Sequence, residues 1–169
     1  MEKLELYKLE AYRGTSSVDP KEIADYILSL EINPVADDGK HSMAEDTYLT
    51  NDAPACVDTL FKEALSAFEQ ESSLKLEFHG AVWFQVHGPQ VGSYPHSHGG
   101  TVAFVYWAQV PPKSGPFAYH PIGMPGPEFF IEPKAGDYLF FPTSLLHGVK
   151  RNFDTEPRVS MSCNFDVMQ

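Results

Sequence analysis

Apolar positions along the chain follow two periods, and the change between them falls near residue 73. Ahead of it, Ile23, Tyr26, Ile27 and Leu30 recur at helical spacing and form one stripe. A start signal precedes them within Ser16–Leu30: Asp19 as N-cap, Pro20 in the first turn and Glu22 at the third helical position. Val57, Leu60, Phe61, Ala64, Leu65 and Phe68 give the buried face of a second helix, starting near Asn51–Pro54 and ending at Glu69–Ser73. Beyond residue 73 the apolar residues alternate or run continuously, which predicts strands at Leu74–Phe78, Ala81–His87, Thr101–Val110, Glu128–Glu132, Tyr138–Phe141 and Arg158–Val167.

The connections fit that division. His87-Gly88-Pro89, Pro111 to Gly115, Met124 to Pro127 and Lys134 to Asp137 are turn signals, and Phe78-His79-Gly80 reads as a further turn. Residues 1–13 read as a peripheral strand. Ile32–Thr50, which holds His41, reads as loop, and with the Gly- and Pro-rich Ser114–Pro127 it is expected to shape a substrate entrance. Two helices followed by short strands at this spacing predict a mainly β fold with flanking helices, a sandwich or jelly-roll barrel. The chain is expected to be one domain over 1–169, with a helical and peripheral part at 1–73 and the β core at 74–167.

Composition narrows the function. A net charge of −11 in 169 residues argues against a nucleic-acid or anionic-membrane partner, although a buried pocket can still be locally positive. Cys56 and Cys163 fall in unlike segments with no CxxC, so reduced thiols are expected. The first residues carry no apolar signal core and no stretch reaches the length of a membrane span, which predicts a cytoplasmic protein.

The candidate chemistry sits in Tyr94-Pro95-His96-Ser97-His98-Gly99-Gly100. On an extended backbone His96 and His98 project to the same side. His147 follows the apolar strand ending at Pro142, where a strand end can deliver its side chain to a pocket mouth. Three neutral imidazoles suit a first-row transition metal such as iron, zinc, copper or nickel. In Arg158–Phe165 alternation puts Arg158, Ser160, Ser162 and Asn164 on one face, with Val159, Met161, Cys163 and Phe165 on the other. The polar face is either the solvent side of an edge strand or the wall of the barrel interior. In the second case the guanidinium fork and a hydroxyl can hold a carboxylate. His79 and His120 read as surface residues, and His87, ending its strand, is able to approach the pocket.

In sequence order, Trp83, Gly92-Ser93-Tyr94-Pro95-His96-Ser97-His98, Val105-Tyr106-Trp107, Phe141-Pro142, Leu146-His147-Gly148-Val149 and Arg158-Val159-Ser160 with Asn164 resemble the iron(II)- and 2-oxoglutarate-dependent oxygenases. The match is to their small bacterial and phage branch and spans about residues 80–167. The resemblance implies a double-stranded β-helix (the jelly roll of the cupin-like folds). It also implies iron held by His96, His98 and His147, and 2-oxoglutarate held by Arg158 and Ser160 with contacts from Tyr94 and Gln85. The reaction implied is decarboxylation of 2-oxoglutarate to succinate coupled to hydroxylation of a small-molecule or peptide substrate by dioxygen, with a homodimer allowed. The wider superfamily carries Asp or Glu where this chain has His98. A third imidazole leaves the metal's first shell at +2 rather than +1, which favours an anionic co-substrate. Two other readings stay open on the sequence: a non-catalytic metal- or 2-oxoglutarate-binding module, and a three-histidine cupin-type dioxygenase independent of 2-oxoglutarate. A typical cupin has a glutamate three or four residues after the His-x-His, where this chain has Val102 and Ala103 nearby.

Overall fold

The computed structural model describes residues 9–30, 53–121 and 128–168. The expectations for 1–8, for the loop around His41 and for the Met124–Pro127 turn lie outside those residues.

Both helices form where apolar stripe and start signal coincide. The first, α1 (Pro20–Ser29), is capped by Asp19, whose carboxylate accepts from the Lys21 backbone N–H. Ile23, Ala24 and Ile27 are its buried face. Helix α2 (Ala55–Ser72) follows Pro54 without a side-chain cap and stops at Ser73, which turns left-handed at φ 60°. Among the described residues there are nine strands: β1 (Tyr12–Thr15), β2 (Leu76–His87), β3 (Ser93–His96), β4 (Val102–Gln109), β5 (Phe117–His120), β6 (Phe129–Ile131), β7 (Asp137–Pro142), β8 (Leu146–Val149) and β9 (Arg158–Val167).

They form two antiparallel sheets, one ordered β1-β7-β4-β9-β2 and one β3-β8-β5-β6. This is the double-stranded β-helix that the resemblance implies, within the sandwich or jelly-roll class that the strand pattern predicts. The larger sheet is covered on both faces, which is why β4 reads as a continuous apolar run. Its Val102, Phe104, Tyr106 and Ala108 join the cluster formed with Ile23, Ile27, Leu60 and Ala64 of the helices. Ala103, Val105 and Trp107 face the smaller sheet and pack with Phe117, Leu139, Phe141 and Leu145. Phe104 is the hub of the first cluster, with ring centroids 4.9 Å from Phe140, 5.5 Å from Phe61 and 6.0 Å from Tyr138. Phe104→Ala is therefore expected to cost about 3–5 kcal/mol of unfolding free energy. A urea titration showing under 1 kcal/mol would contradict this account of the core.

Two expectations about elements need correction. The turn at His79-Gly80 is not a chain reversal: β2 runs through it and absorbs the irregularity as a register shift between His79 and Trp83 against β9. Ser114–Pro127 is not loop throughout, because Phe117–His120 pairs with β8 on one side and β6 on the other. The strand at β9 matches its predicted bounds and lies between β4 and β2, so the edge-strand reading of its polar face fails.

Candidate active site

The histidines meet because two connections bring the smaller sheet's strand ends together. His96 closes β3 and pairs in register with His147, the second residue of β8. His98 is not on the strand, contrary to the expected alternation. It lies in the irregular segment just past the strand, where its backbone N–H donates to the Thr143 carbonyl. Gly100 then turns with φ +82°, and a Cβ there would sit 3.1 Å from the Phe165 carbonyl. That close approach is what requires glycine at this position.

The three rings converge, with centroids 4.6 to 5.0 Å apart and one ligand nitrogen from each lying within 4.8 Å of the others. Tautomers are fixed by carbonyl partners. His96 Nδ1 is 2.7 Å from the Tyr94 carbonyl and His147 Nδ1 is 2.8 Å from the Leu145 carbonyl. A carbonyl only accepts, so each Nδ1 carries the proton and each Nε2 presents a lone pair, the arrangement metal-ligating histidines use. His98 Nε2 and His147 Nε2 stand 3.2 Å apart. Two nitrogens about 2.1 Å from one shared metal stand about 3.0–3.4 Å apart at octahedral to tetrahedral angles. The donor set thus fits a metal.

Burial reinforces the neutral state. It holds His98 down to about 4, with the charge of His96 adding to the effect, and His147 down to about 3. Neither ring needs to lose a proton at neutral pH before it can ligate. The metal-free protein should accordingly be acid-sensitive. Above pH about 6.5 neither folded nor unfolded chain protonates these groups. As pH falls from 6.5 towards 4, the unfolded chain takes up protons that the folded one refuses, and stability drops. Urea midpoints measured in chelator should fall across that window, and a midpoint that stays constant would contradict the assignment.

Behind the histidines the interior face of β9 supplies the polar wall. Arg158, Ser160, Ser162 and Asn164 are all buried, whereas Val159, Met161, Cys163 and Phe165 face the helices. A small cavity of about 30 Å³ is lined by His96, His98, His147, Trp83, Gln85, Trp107, Ser160, Ser162 and Asn164 among others. Register places Gln85 opposite Ser160 and His87 opposite Arg158, and Ser160 Oγ donates to Gln85 Oε1 at 3.2 Å. Arg158 is 1% exposed, and burial lowers its pKa to about 9, so it stays charged at neutral pH. Among the described residues no carboxylate lies within ion-pair distance of it. Its guanidinium meets His87 Nδ1 at 3.2 Å and the Ser114 and Gly115 carbonyls at 3.5 and 3.4 Å. Arg158 Nε, Trp83 Nε1 and Asn164 Oδ1 are buried without a hydrogen-bond partner among the described residues. A buried cation lacking an anion is expensive, so this face is built for an anionic ligand.

Tyr94 stands apart from this group. It is 58% exposed and lines a separate outer groove of about 220 Å³ with Gly148, Lys150 and Arg151. The register shift between Ser93 and His96 breaks the alternation that would have kept Tyr94 and His96 on one face. The sequence allows His87 to approach the pocket, whereas Asn152 carries no signal there. His87 is buried against Arg158, and the fully buried Asn152 donates to the carbonyls of His87 and Glu156. His79 is exposed and pairs with Asp166.

Residues 81–164, about half the chain, match the family described as "Putative 2OG-Fe(II) oxygenase". The chain belongs to the 2OG-Fe(II) oxygenases. Its cofactors are iron(II) and the co-substrate 2-oxoglutarate. No curated protein sequence matches it significantly. Solved structures share the fold. A prolyl-4-hydroxylase from Pseudomonas putida is 16% identical with a TM-score of 0.70, covering 94% of this chain and 93% of that one. The collagen prolyl hydroxylase of Paramecium bursaria Chlorella virus-1, solved with 2OG, is 13% identical with a TM-score of 0.68, covering 92% and 94%. The 2-oxoglutarate-dependent epimerase SnoN of nogalamycin biosynthesis is 14% identical with a TM-score of 0.70, covering 92% and 76%. No helix among the described residues is long and apolar enough to cross a membrane.

Proposed function

We propose that this oxygenase is a dioxygenase that hydroxylates a small-molecule or peptide substrate. One oxygen atom of dioxygen would enter the substrate as hydroxyl, and the other the succinate formed as 2-oxoglutarate loses carbon dioxide. The observation that carries this reading is a buried Arg158, without a carboxylate partner among the described residues, on the same interior strand face as Ser160 and behind three converging imidazoles.

Each residue has a role that follows from its chemistry. His96, His98 and His147 hold iron(II) through Nε2, and their Nδ1–H···carbonyl bonds at His96 and His147 keep those rings aimed. The bound metal supplies the redox chemistry and the electrophilic centre for the 2-oxo acid. Arg158 and Ser160 take the distal carboxylate of 2-oxoglutarate, the guanidinium through charge-assisted hydrogen bonds and the hydroxyl through a further donor. Gln85 is displaced from Ser160 as the diacid enters, since a cavity of about 30 Å³ has room for about one water molecule. Three neutral ligands and a buried cation make the interior positive in a strongly acidic chain, which selects a dianion by attraction. Trp83, with its ring centroid 5.5 Å from that of His98, closes the side of the site.

Anaerobic titration with iron(II) and then 2-oxoglutarate should produce the weak visible charge-transfer band of the chelate. Admitting air should release succinate and carbon dioxide in equal amounts. No band and no affinity for 2-oxoglutarate would overturn the reading. A band without succinate under a broad panel of substrates would leave a binding module instead of an enzyme.

A further inference from the structure

We infer that His87 is a positioning residue for Arg158, acting as a neutral hydrogen-bond acceptor that sets the direction of the guanidinium. The inference rests on the reading of Arg158 as the anchor of the co-substrate's distal carboxylate. His87 and Arg158 are register partners on the adjacent strands β2 and β9, both about 1% exposed, with Nη2 3.2 Å from His87 Nδ1. A guanidinium has only donors, so Nδ1 must accept and the ring proton must sit on Nε2. That tautomer is the reverse of His96 and His147, whose Nδ1 atoms donate to carbonyls. His96 and His147 on the one hand and His87 on the other are thus kept in opposite tautomers, the first suited to ligation and the second to orientation.

The surroundings restrain this pair from both sides. Arg158 Nη1 is directed at the Ser114 and Gly115 carbonyls at 3.5 and 3.4 Å, contacts too long to fix the fork alone. Gly115 holds its turn at φ +73°, where a Cβ would sit 2.6 Å from the Arg151 carbonyl. Asn152 donates to the His87 carbonyl at 2.9 Å and to the Glu156 carbonyl at 2.8 Å, tying the end of β2 to the segment that leads into Arg158. Nη1 and Nη2 are thus engaged by protein, and Nε, which has no partner among the described residues, is left for the ligand. Arginine is effective at carboxylate recognition because its fork is planar and directional, and fixing that plane is what His87 contributes.

The test compares His87→Leu, which removes the acceptor, with His87→Asn, whose Oδ1 occupies the place of Nδ1. On iron(II)-loaded protein without oxygen, 2-oxoglutarate affinity should fall about 10- to 100-fold in His87→Leu, the range for losing a hydrogen bond to a charged group. In His87→Asn it should return to within about 3-fold of the parent. Binding of 2-oxobutyrate, which lacks the distal carboxylate, should be equal in all three. Long-range proton–nitrogen spectra of the parent should show His87 protonated on Nε2 alone, a readout that needs no variant to fold. Parent-like 2-oxoglutarate affinity in His87→Leu, equal weakening in both variants, or a proton on Nδ1 would overturn the inference. Arg158→Ala serves as reference. If it binds 2-oxoglutarate as well as the parent, the reading of Arg158 itself falls and the inference with it.

Discussion

Arg158→Met is expected to remove 2-oxoglutarate binding while leaving the metal-free fold at least as stable as the parent. The two effects have one cause. A guanidinium that is 1% exposed with no carboxylate within reach among the described residues is a desolvated charge, tolerated because a ligand can neutralise it. Removing one partner of a desolvated, hydrogen-bonded charge pair costs about 2–5 kcal/mol, so affinity should fall on the order of 100-fold or more. Methionine is similar in length, flexible and apolar, and it fills the space beside His87, Ser114 and Gly115 without the charge. His87 Nδ1 loses its donor and offsets part of the gain. Calorimetric titration of the iron-loaded variant would measure the first effect and urea unfolding of the metal-free variant the second. A variant both weakly binding and strongly destabilised would mean that Arg158 serves the fold and not the ligand.

The second large effect falls on the metal. His147→Ala should lower iron(II) affinity by more than the 10- to 100-fold typical of losing a supporting contact, since a ligand itself is lost. It should also abolish succinate formation. His147 is 6% exposed, with its ring stacked on Phe117 at 5.4 Å and meeting Phe141 edge-on at 4.7 Å, so truncation also leaves a cavity and a stability loss of a few kcal/mol. His98→Asp gives the matched contrast. It restores the acid found at this position in the wider superfamily, and His98 lies past the end of the strand, so a shorter side chain is accommodated. Iron should remain bound in His98→Asp within about tenfold of the parent. Equal iron affinity in His147→Ala and the parent, measured by competition with a chelator, would remove His147 from the ligand set.

What the sequence disclosed depended on how much of each signal lay in neighbouring residues. Asp19-Pro20 with its stripe located α1, and strict alternation in β9 separated the polar from the apolar face residue by residue, leaving open whether the polar face met solvent or the interior. Strands β3, β5 and β8 have four residues each and contain Pro95, Ala118 and Gly148, so neither length nor alternation distinguishes them from turns. His147 was legible as a candidate, but its strand was not. Tyr94 went astray through the register shift that follows Ser93. His98 has the opposite history: its expected strand position was wrong, yet it reaches the cluster, with its backbone held by the Thr143 carbonyl. The importance of His87 arises from pairing across 71 residues, and no local pattern encodes that.

The two faces of β9 give the chain a distinctive tolerance to genetic change. Substitutions on the Arg158 face can alter ligand preference with the core untouched, and those on the Met161 face can repack the core behind an intact site. A single-codon deletion between residues 159 and 164 has no such separation, because a one-residue slip sends every downstream side chain through the sheet. Ligand preference can thus drift by point mutation in this strand, whereas its length is held fixed.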